Sequence, residues 1–282
     1  MSRVAVVTGS NKGIGFGIVK DLCSKFEGSV YLTSRDEQRG KAAIADLEKL
    51  GLKPKYHQLD ITDDASVSAL KDYLVQTYGG LDVLVNNAAI AFKNDATEPF
   101  SVQAKETLHI NFFKTLDFCD AIFPILRPHA RVVNVSSSAG FLGRVPGEEL
   151  KKKLANPDLT REDLIAVMKD FVESAAEGTH QSKGWGNSAY AASKVGLSAL
   201  TRIQQREFNA DTREDLVINH VHPGYVDTDM TSHKGPLPIE EGAVSSVFAA
   251  LIPPGAASPK GDYIWFKKEI VDWVNGPLPS QY

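Results

Sequence analysis

From residue 3 to about 135 the chain alternates short apolar, β-branched runs with longer amphipathic segments: Val4 to Val7, Val30 to Thr33, Tyr56 to Leu59, Val83 to Val85 and Arg131 to Val135. Strand-helix-strand repetition of this kind requires right-handed crossovers. It predicts an α/β fold with a doubly wound, mostly parallel sheet. Ligands of such sheets bind at the carboxyl ends of the strands, where the winding direction reverses. Every motif considered below falls at such an end.

The first of these ends carries Thr8-Gly9-Ser10-Asn11-Lys12-Gly13-Ile14-Gly15, directly after Val4 to Val7. A buried strand that runs through a glycine-rich turn into a helix aims unpaired N–H groups and the positive end of the helix dipole at one point, where a pyrophosphate can sit. Gly9 serves the tight turn, Gly13 lets the backbone approach the phosphates, and Gly15 permits close packing of helix on sheet. Asn11, Lys12 and Ile14 complete the expected cofactor cradle. The spacing Gly-x-x-x-Gly-x-Gly departs from the commoner Gly-x-Gly-x-x-Gly, so the motif alone is of moderate specificity.

The tip of the second strand reads Thr33-Ser34-Arg35-Asp36. An acidic residue there would bind the 2′-hydroxyl of NAD, whereas an arginine accepts the extra 2′-phosphate of NADP. Arg35 at the tip, with Lys12 reaching the same phosphate, favours NADP; the competing reading pairs Arg35 with Asp36 or Glu37 at the surface. Asp60, followed by Ile61, is placed to hydrogen-bond the adenine amino group. Of Asn86-Asn87-Ala88-Ala89, Asn86 suits a bond between strands, Asn87 a cofactor contact, and the small Ala88 a close approach of ribose or ring.

The rest of the chain bounds the function. A formal net charge of −4 with 23% charged residues leaves no basic field for nucleic acid or anionic membrane. No apolar stretch approaches the roughly 20 residues of a membrane span. Met1-Ser2-Arg3 runs straight into the first strand, which leaves no room for a secretory leader. Cys23 and Cys119 lie in expected helices without disulfide or metal-ligand spacing, which suits packing residues in a reducing cytosol. No His or Cys cluster suggests a metal site.

A polar segment with Pro146, Gly147 and Pro157 breaks the pattern at about 141–186. It reads as a helical insertion on one domain spanning 1–282, with a helix from Asp163 to about Ala176 capped by Thr160, and with Lys151-Lys152-Lys153 on a solvated face. A helix at 187–209, a strand at 216–221, a helix at 239–250, a last strand over Tyr263-Ile264-Trp265-Phe266 and a frayed tail at 277–282 follow.

The reactive set consists of Tyr190 and Lys194, four apart on one helical face, a serine of the run Ser136-Ser137-Ser138, and Asn111. A phenol with an ordinary pKa near 10 donates poorly at neutral pH, and the Lys194 ammonium would bring Tyr190 toward working range while also holding ribose hydroxyls. The serine would hydrogen-bond a substrate carbonyl. Asn111 would hold a water that reconnects the lysine to solvent protons. Strand alternation lets only one or two of the three serines face the site.

Together these residues resemble the short-chain dehydrogenase/reductase family, in which Thr-Gly-x-x-x-Gly-x-Gly, Asn-Asn-Ala-Gly, a strand-end Ser, Tyr-x-x-x-Lys and Pro-Gly recur in this order. The resemblance covers nearly the whole chain and is narrowest to the monomeric, NADPH-dependent carbonyl reductases, which share the insertion and, among other stretches, His57-Gln58-Leu59-Asp60-Ile61 and Arg131-Val132-Val133-Asn134-Val135-Ser136-Ser137. It implies a Rossmann-type fold and a monomer, because the insertion covers helix surface used elsewhere in the family for tetramers. The family spacing Ser-x-x-Gly selects Ser137. Pro223, Gly224, Val226 and Thr228 would contact the nicotinamide end of NADPH, and Phe92, Lys93, Gln103, Ser137, Tyr225 and Met230 would line the substrate pocket. Ala89 stands where the family usually has Gly, and His222 and Tyr225 depart from the vertebrate enzymes; His222 suits packing or hydrogen bonding rather than acid catalysis.

The resemblance implies reduction of ketones, aldehydes and quinones with Tyr190 as the general acid. A dedicated reductase or dehydrogenase of one steroid, prostaglandin or alkaloid ketone is the alternative within enzymes. A non-catalytic NADPH-binding redox sensor is the alternative outside them.

Overall fold

In a computed structural model, which describes residues 2–93, 95–277 and 279, the alternation resolves into eight strands in the order β3-β2-β1-β4-β5-β6-β7-β8. The strands are β1 (Val4–Val7), β2 (Ser29–Ser34), β3 (Lys55–Gln58), β4 (Leu81–Asn86), β5 (Leu126–Val135), β6 (Val217–Val221), β7 (Tyr263–Ile264) and β8 (Ile270–Val271). Every pairing is parallel except that of β7 with β8. The chain winds outward from β1 to β3 and then returns to the other side of β1 with β4. The reversal therefore lies between the carboxyl ends of β1 and β4, where the glycine turn and Asn87 stand.

β1, β4 and β6 are buried along their whole length, because helices cover both faces of the sheet. The helices are α1 (Gly13–Lys25), α2 (Glu37–Lys49), α3 (Asp64–Tyr78), α4 (Phe100–Leu108), α5 (Thr115–Ile122), α6 (Glu148–Ala155), α7 (Arg161–Glu177), α8 (Ala189–Asn209) and α9 (Ile239–Ala250). A π turn at His109–Lys114 joins α4 to α5. Asp36, Asp63, Thr160 and Ser188 cap α2, α3, α7 and α8 by accepting backbone N–H groups of the first turn.

The insertion before Tyr190 is helical, as expected, but holds two helices rather than one. α6 has a single fully buried apolar residue, Leu154, too little periodicity to mark it in the sequence. α7 buries Leu164, Val167, Met168 and Phe171 in a cluster with Leu108 and Phe112 and with Val195, Ala199 and Ile203 of α8. The Asp163 carboxylate accepts the Thr160 hydroxyl at 2.8 Å while Thr160 Oγ1 accepts the Asp163 amide at 3.1 Å, so the cap closes on itself instead of reaching the Thr160 N–H.

The strand expected over 263–266 is shorter. The backbone turns at Lys267 and Lys268, both at positive φ (63° and 73°), and returns as the antiparallel β8. A Lys-Lys pair carries no turn signature, which hid this hairpin. Most of the tail expected at 277–282 lies outside the described residues. Among the described residues no helix is long and apolar enough to cross a membrane, and no His, Cys, Asp and Glu side chains group as metal ligands.

Candidate active site

At the β1 end, Gly9 and Gly13 both adopt φ +58°, and a Cβ on Gly9 would stand 2.8 Å from Ala88 Cα. A Cβ on Gly15 would meet Asn87 Nδ2 at 2.5 Å and Ser10 Cα at 2.8 Å, so only glycine lets α1 close on the sheet here. The α1 N-terminus has no side-chain cap and no acidic residue in its first turn, with Lys12 extended at the cap position. Bare N–H groups, a positive dipole end and glycine-only clearance fit the phosphates of a dinucleotide. Asn11 and Ile14 are part-buried in the same turn.

Asn87 is bonded to the glycine turn. Its Nδ2 donates to Thr8 O and Gly9 O, both at 3.0 Å, and the amides of Asn87 and Ala88 both donate to Thr8 Oγ1 at 3.0 Å. The side-chain amide thus ties the glycine turn to β4. Asn86 does bond between strands, donating to Asn134 Oδ1 at 2.8 Å. Ala89 lies outside the left-handed region, so its methyl is accommodated.

Arg35 is exposed at the β2 tip. Asp36 instead caps α2 and pairs with Arg39 at 3.4 Å, and Glu37 pairs with Lys41, so neither is spent on Arg35. Lys12 pairs with Asp229 at 2.7 Å, a partner in the loop after β6 that no spacing announced. Asp60 Oδ1 accepts the Thr62 amide at 2.9 Å and the Thr62 hydroxyl at 2.7 Å, and Ile61 beside it is buried. Beyond β6, Pro223 and Gly224, the latter at φ +90°, lead to Val226 and Thr228, both buried. The Thr228 methyl would lie 3.5 Å from a Cβ on Gly13, which brings this loop face to face with the glycine turn.

At the β5 end the three serines separate. Ser136 is buried and bonds Ser198 Oγ at 2.8 Å and Lys194 O at 3.2 Å, while the Ser138 amide donates to His222 Nδ1 at 3.0 Å. Ser137 Oγ accepts the Ala139 amide at 3.2 Å and lies close enough to Tyr190 to favour its phenolate. Tyr190 and Lys194 share a face of α8, with Lys194 Nζ 5.6 Å from the Tyr190 ring centre.

Burial pushes the Tyr190 phenol above its usual value, and the Ser137 hydrogen bond works in the opposite direction. Burial likewise brings Lys194 down to about 8. Burial sets the direction for the phenol, and Lys194 Nζ is held by Val135 O at 2.7 Å. A phenol that keeps its proton is a proton donor. The Asn111 side chain is bonded at both ends of its amide. Its Oδ1 accepts the Ile90 amide at 2.8 Å, and Nδ2 donates to Ile90 O at 2.9 Å and Ser193 Oγ at 3.1 Å. Sitting in the π turn, it braces α8 beside Lys194.

Of the expected substrate residues, Phe92 is part-buried and Lys93 exposed on the loop after β4, and Gln103 on α4 donates to Glu98 O at 2.9 Å. Tyr225 and Met230 are exposed apolar surface on the loop after β6. His222 is buried and driven down to about 3 by its burial, so it is neutral and accepts a hydrogen bond, as a packing residue would.

Chemistry at the carboxyl ends of a doubly wound parallel sheet is here joined to a Ser-Tyr-Lys group, and the chain belongs to the short chain dehydrogenase family, whose model matches residues 3–148 and 171–236. The unmatched stretch between them falls on α6 and the first part of α7. The chain is 49% identical over 267 residues to the NADPH carbonyl reductase 1 of Rattus norvegicus, covering 94% of this chain and 96% of that protein. Its structure resembles salutaridine reductase from Papaver somniferum (TM-score 0.83, 32% identity, covering 94% and 99% of the two chains). It also resembles a short chain dehydrogenase from Burkholderia cenocepacia in complex with NADP (TM-score 0.65, 25% identity, covering 94% and 96%).

Proposed function

We propose that this oxidoreductase reduces ketones, aldehydes and quinones to alcohols and hydroquinones with NADPH. The observation that carries the proposal is the cluster of Ser137, Tyr190 and Lys194 at the β5 end, beside a glycine turn whose helix N-terminus is uncapped. When bound, NADPH would supply the hydride that reaches the carbonyl carbon. The Ser137 hydroxyl holds the carbonyl oxygen, and Tyr190 gives that oxygen its proton. Lys194, still mostly an ammonium at neutral pH, returns a proton toward the phenol and holds ribose hydroxyls.

Gly9, Asn11, Lys12, Gly13, Ile14 and Gly15 hold the phosphates. Arg35 and Lys12 take the 2′-phosphate, and Asp60 with Ile61 and Ala88 face the adenosine. Pro223, Gly224, Val226 and Thr228 serve the nicotinamide, while Phe92, Lys93, Gln103, Tyr225 and Met230 line the substrate side. The protein acts as a cytoplasmic monomer of one domain: α7 packs on α4 and α8, the surfaces a tetramer would use, and both cysteines are free.

Initial rates with menadione, isatin, an aliphatic ketone and a steroid ketone, run with NADPH and NADH, test this reading. Turnover of several classes with a preference for NADPH, inverted or erased in Arg35→Asp, is expected. Turnover of one ketone alone would select the dedicated reductase, and NADPH binding without turnover of any carbonyl would select the redox sensor.

A further inference from the structure

The peptide unit between Ser137 and Ser138 is held at both of its polar ends. The Tyr263 hydroxyl donates to Ser137 O at 2.7 Å, and His222 Nδ1 accepts the Ser138 N–H at 3.0 Å. We propose that Tyr263 and His222 are positioning residues of the reaction, a two-sided clamp on the 137–138 peptide that sets the direction of the Ser137 side chain toward Tyr190. The proposal rests on the reductase reading above.

A peptide plane has one donor and one acceptor, so engaging both fixes its rotation about the chain, and with it the ψ of Ser137. Ser137 keeps its χ1 and hydroxyl rotation, which the Ala139 amide restrains by donating to that oxygen at 3.2 Å, so that the hydroxyl hydrogen turns to Tyr190 and, when a carbonyl is bound, to its oxygen. The clamp is rigid at its base. Tyr263 is fully buried, stacked on His220 at 4.7 Å and edge-on to Trp265 at 5.7 Å. His222 lies 4.2 Å from Trp265, ring centre to ring centre. Because Nδ1 accepts a hydrogen bond, the neutral imidazole carries its proton on Nε2. A third contact continues the pattern, with Trp273 Nε1 donating to Gly140 O at 2.7 Å.

Tyr263 and Trp273 lie on and after β7, beyond residue 236, where the family model's match ends. The terminal hairpin thus belongs to the catalytic apparatus of this chain rather than only to the edge of its sheet. Its effect reaches the proton donor through Ser137, whose hydroxyl favours the Tyr190 phenolate, so a displaced Ser137 raises the pH at which that phenol ionises; Tyr263 also faces Tyr190 directly, and the His222 variants, which leave Tyr263 in place, separate the two routes. The charged groups facing this region are Lys194 on α8 and Arg144 after β5, and neither is altered by the substitutions below.

The experiment compares Tyr263→Phe, His222→Leu and His222→Asn with the unmodified protein. It measures kcat for ketone reduction, NADPH affinity, thermal stability, and the pH midpoint of the reverse alcohol oxidation, which needs the phenolate. Misplacing a reacting group by part of an ångström supports an expected fall in kcat of about ten- to a hundredfold in Tyr263→Phe and His222→Leu. NADPH affinity should hold, the oxidation midpoint should move to higher pH, and His222→Asn, whose Oδ1 supplies an acceptor in place of Nδ1, should recover most of kcat. If Tyr263→Phe does not fold, the contrast between the two His222 variants decides. Unchanged kcat and midpoint would overturn the clamp, as would losses that follow thermal stability and NADPH affinity without a midpoint shift. Absence of any NADPH-dependent turnover in the unmodified protein would instead overturn the reductase reading, and the clamp with it.

Discussion

Lys194 keeps 3% of its surface exposed and, among the described residues, pairs with no carboxylate, which makes it costly to the fold. Its pKa falls from 10.5 to about 8, which corresponds to about 3 kcal/mol disfavouring the buried ammonium. The unfolded chain binds the extra proton between those two values. Stability therefore rises with pH through that window, and the cost is fully present below about 8. Lys194→Met should lose activity while gaining about 1–2 kcal/mol at neutral pH, after the lost bond to Val135 O is deducted. The gain should shrink as pH approaches 10.5; denaturant melts at neutral and alkaline pH check both.

Tyr190 has the opposite practical consequence. Raised by burial, it stays protonated through neutral pH, so ketone reduction should be level there, decline first as Lys194 loses its proton at about 8 and again as the phenol ionises above its usual value, whereas alcohol oxidation should rise as the phenol ionises. A pH-rate series in both directions measures this. Residue types and their order led to Ser137, Tyr190 and Lys194, but not to the bonding of Asn87 and Asn111. A side-chain amide can face a ligand or a backbone with equal ease, and only the fold brings Thr8, Gly9 and Ile90 within reach.

At the scale of elements, the Lys12–Asp229 pair joins the glycine turn to the loop after β6, and His233 extends it by facing Asp229 at 3.1 Å and Asp227 at 2.6 Å. All four side chains are more than half exposed, and such pairs are screened by salt. Asp229→Asn should change melting temperature little, yet free Lys12 for the 2′-phosphate and tighten NADPH but not NADH in binding titrations at low salt. Equal effects on both cofactors would show that the pair serves the loop instead.

Six strands were legible because apolar runs alternate with amphipathic segments as far as Val135 and the pattern resumes with the helix at 187–209 and the strand at 216–221. The terminal hairpin was not legible: Trp265 and Phe266 are apolar and buried whether strand or turn, and the reversal rests on two lysines at positive φ. α6 escaped because a helix held at one point by Leu154 shows no stripe.

For the whole molecule, a buried ion-pair network lies at the end of the sheet away from the chemistry. The chemistry lies at the carboxyl ends, while Arg131, fully buried near the start of the β5–β6 pairing, bonds Asp215 at 2.7 Å, with Lys260 at 3.0 Å from the same carboxylate. Burial alone would raise the Asp215 carboxyl, but the Gly255 amide, Arg131 and Lys260 hold it far below its usual range. Its contribution to stability is present above the ordinary carboxylate value and is lost only as pH falls through its lowered one. Asp215→Asn leaves a buried guanidinium short of its counter-charge and should destabilise by about 3 kcal/mol, with kcat at moderate temperature unchanged. Melting curves beside initial rates check this.

The central claim is that Tyr190 protonates a carbonyl reduced by NADPH. It is tested most directly by following NADPH oxidation with menadione and isatin for the unmodified protein and Tyr190→Phe, beside a titration of NADPH binding to both. The account predicts turnover in the former, loss of at least about a hundredfold in the latter, and similar NADPH affinity in both. Equal turnover by Tyr190→Phe, or NADPH binding without turnover in either protein, would contradict it.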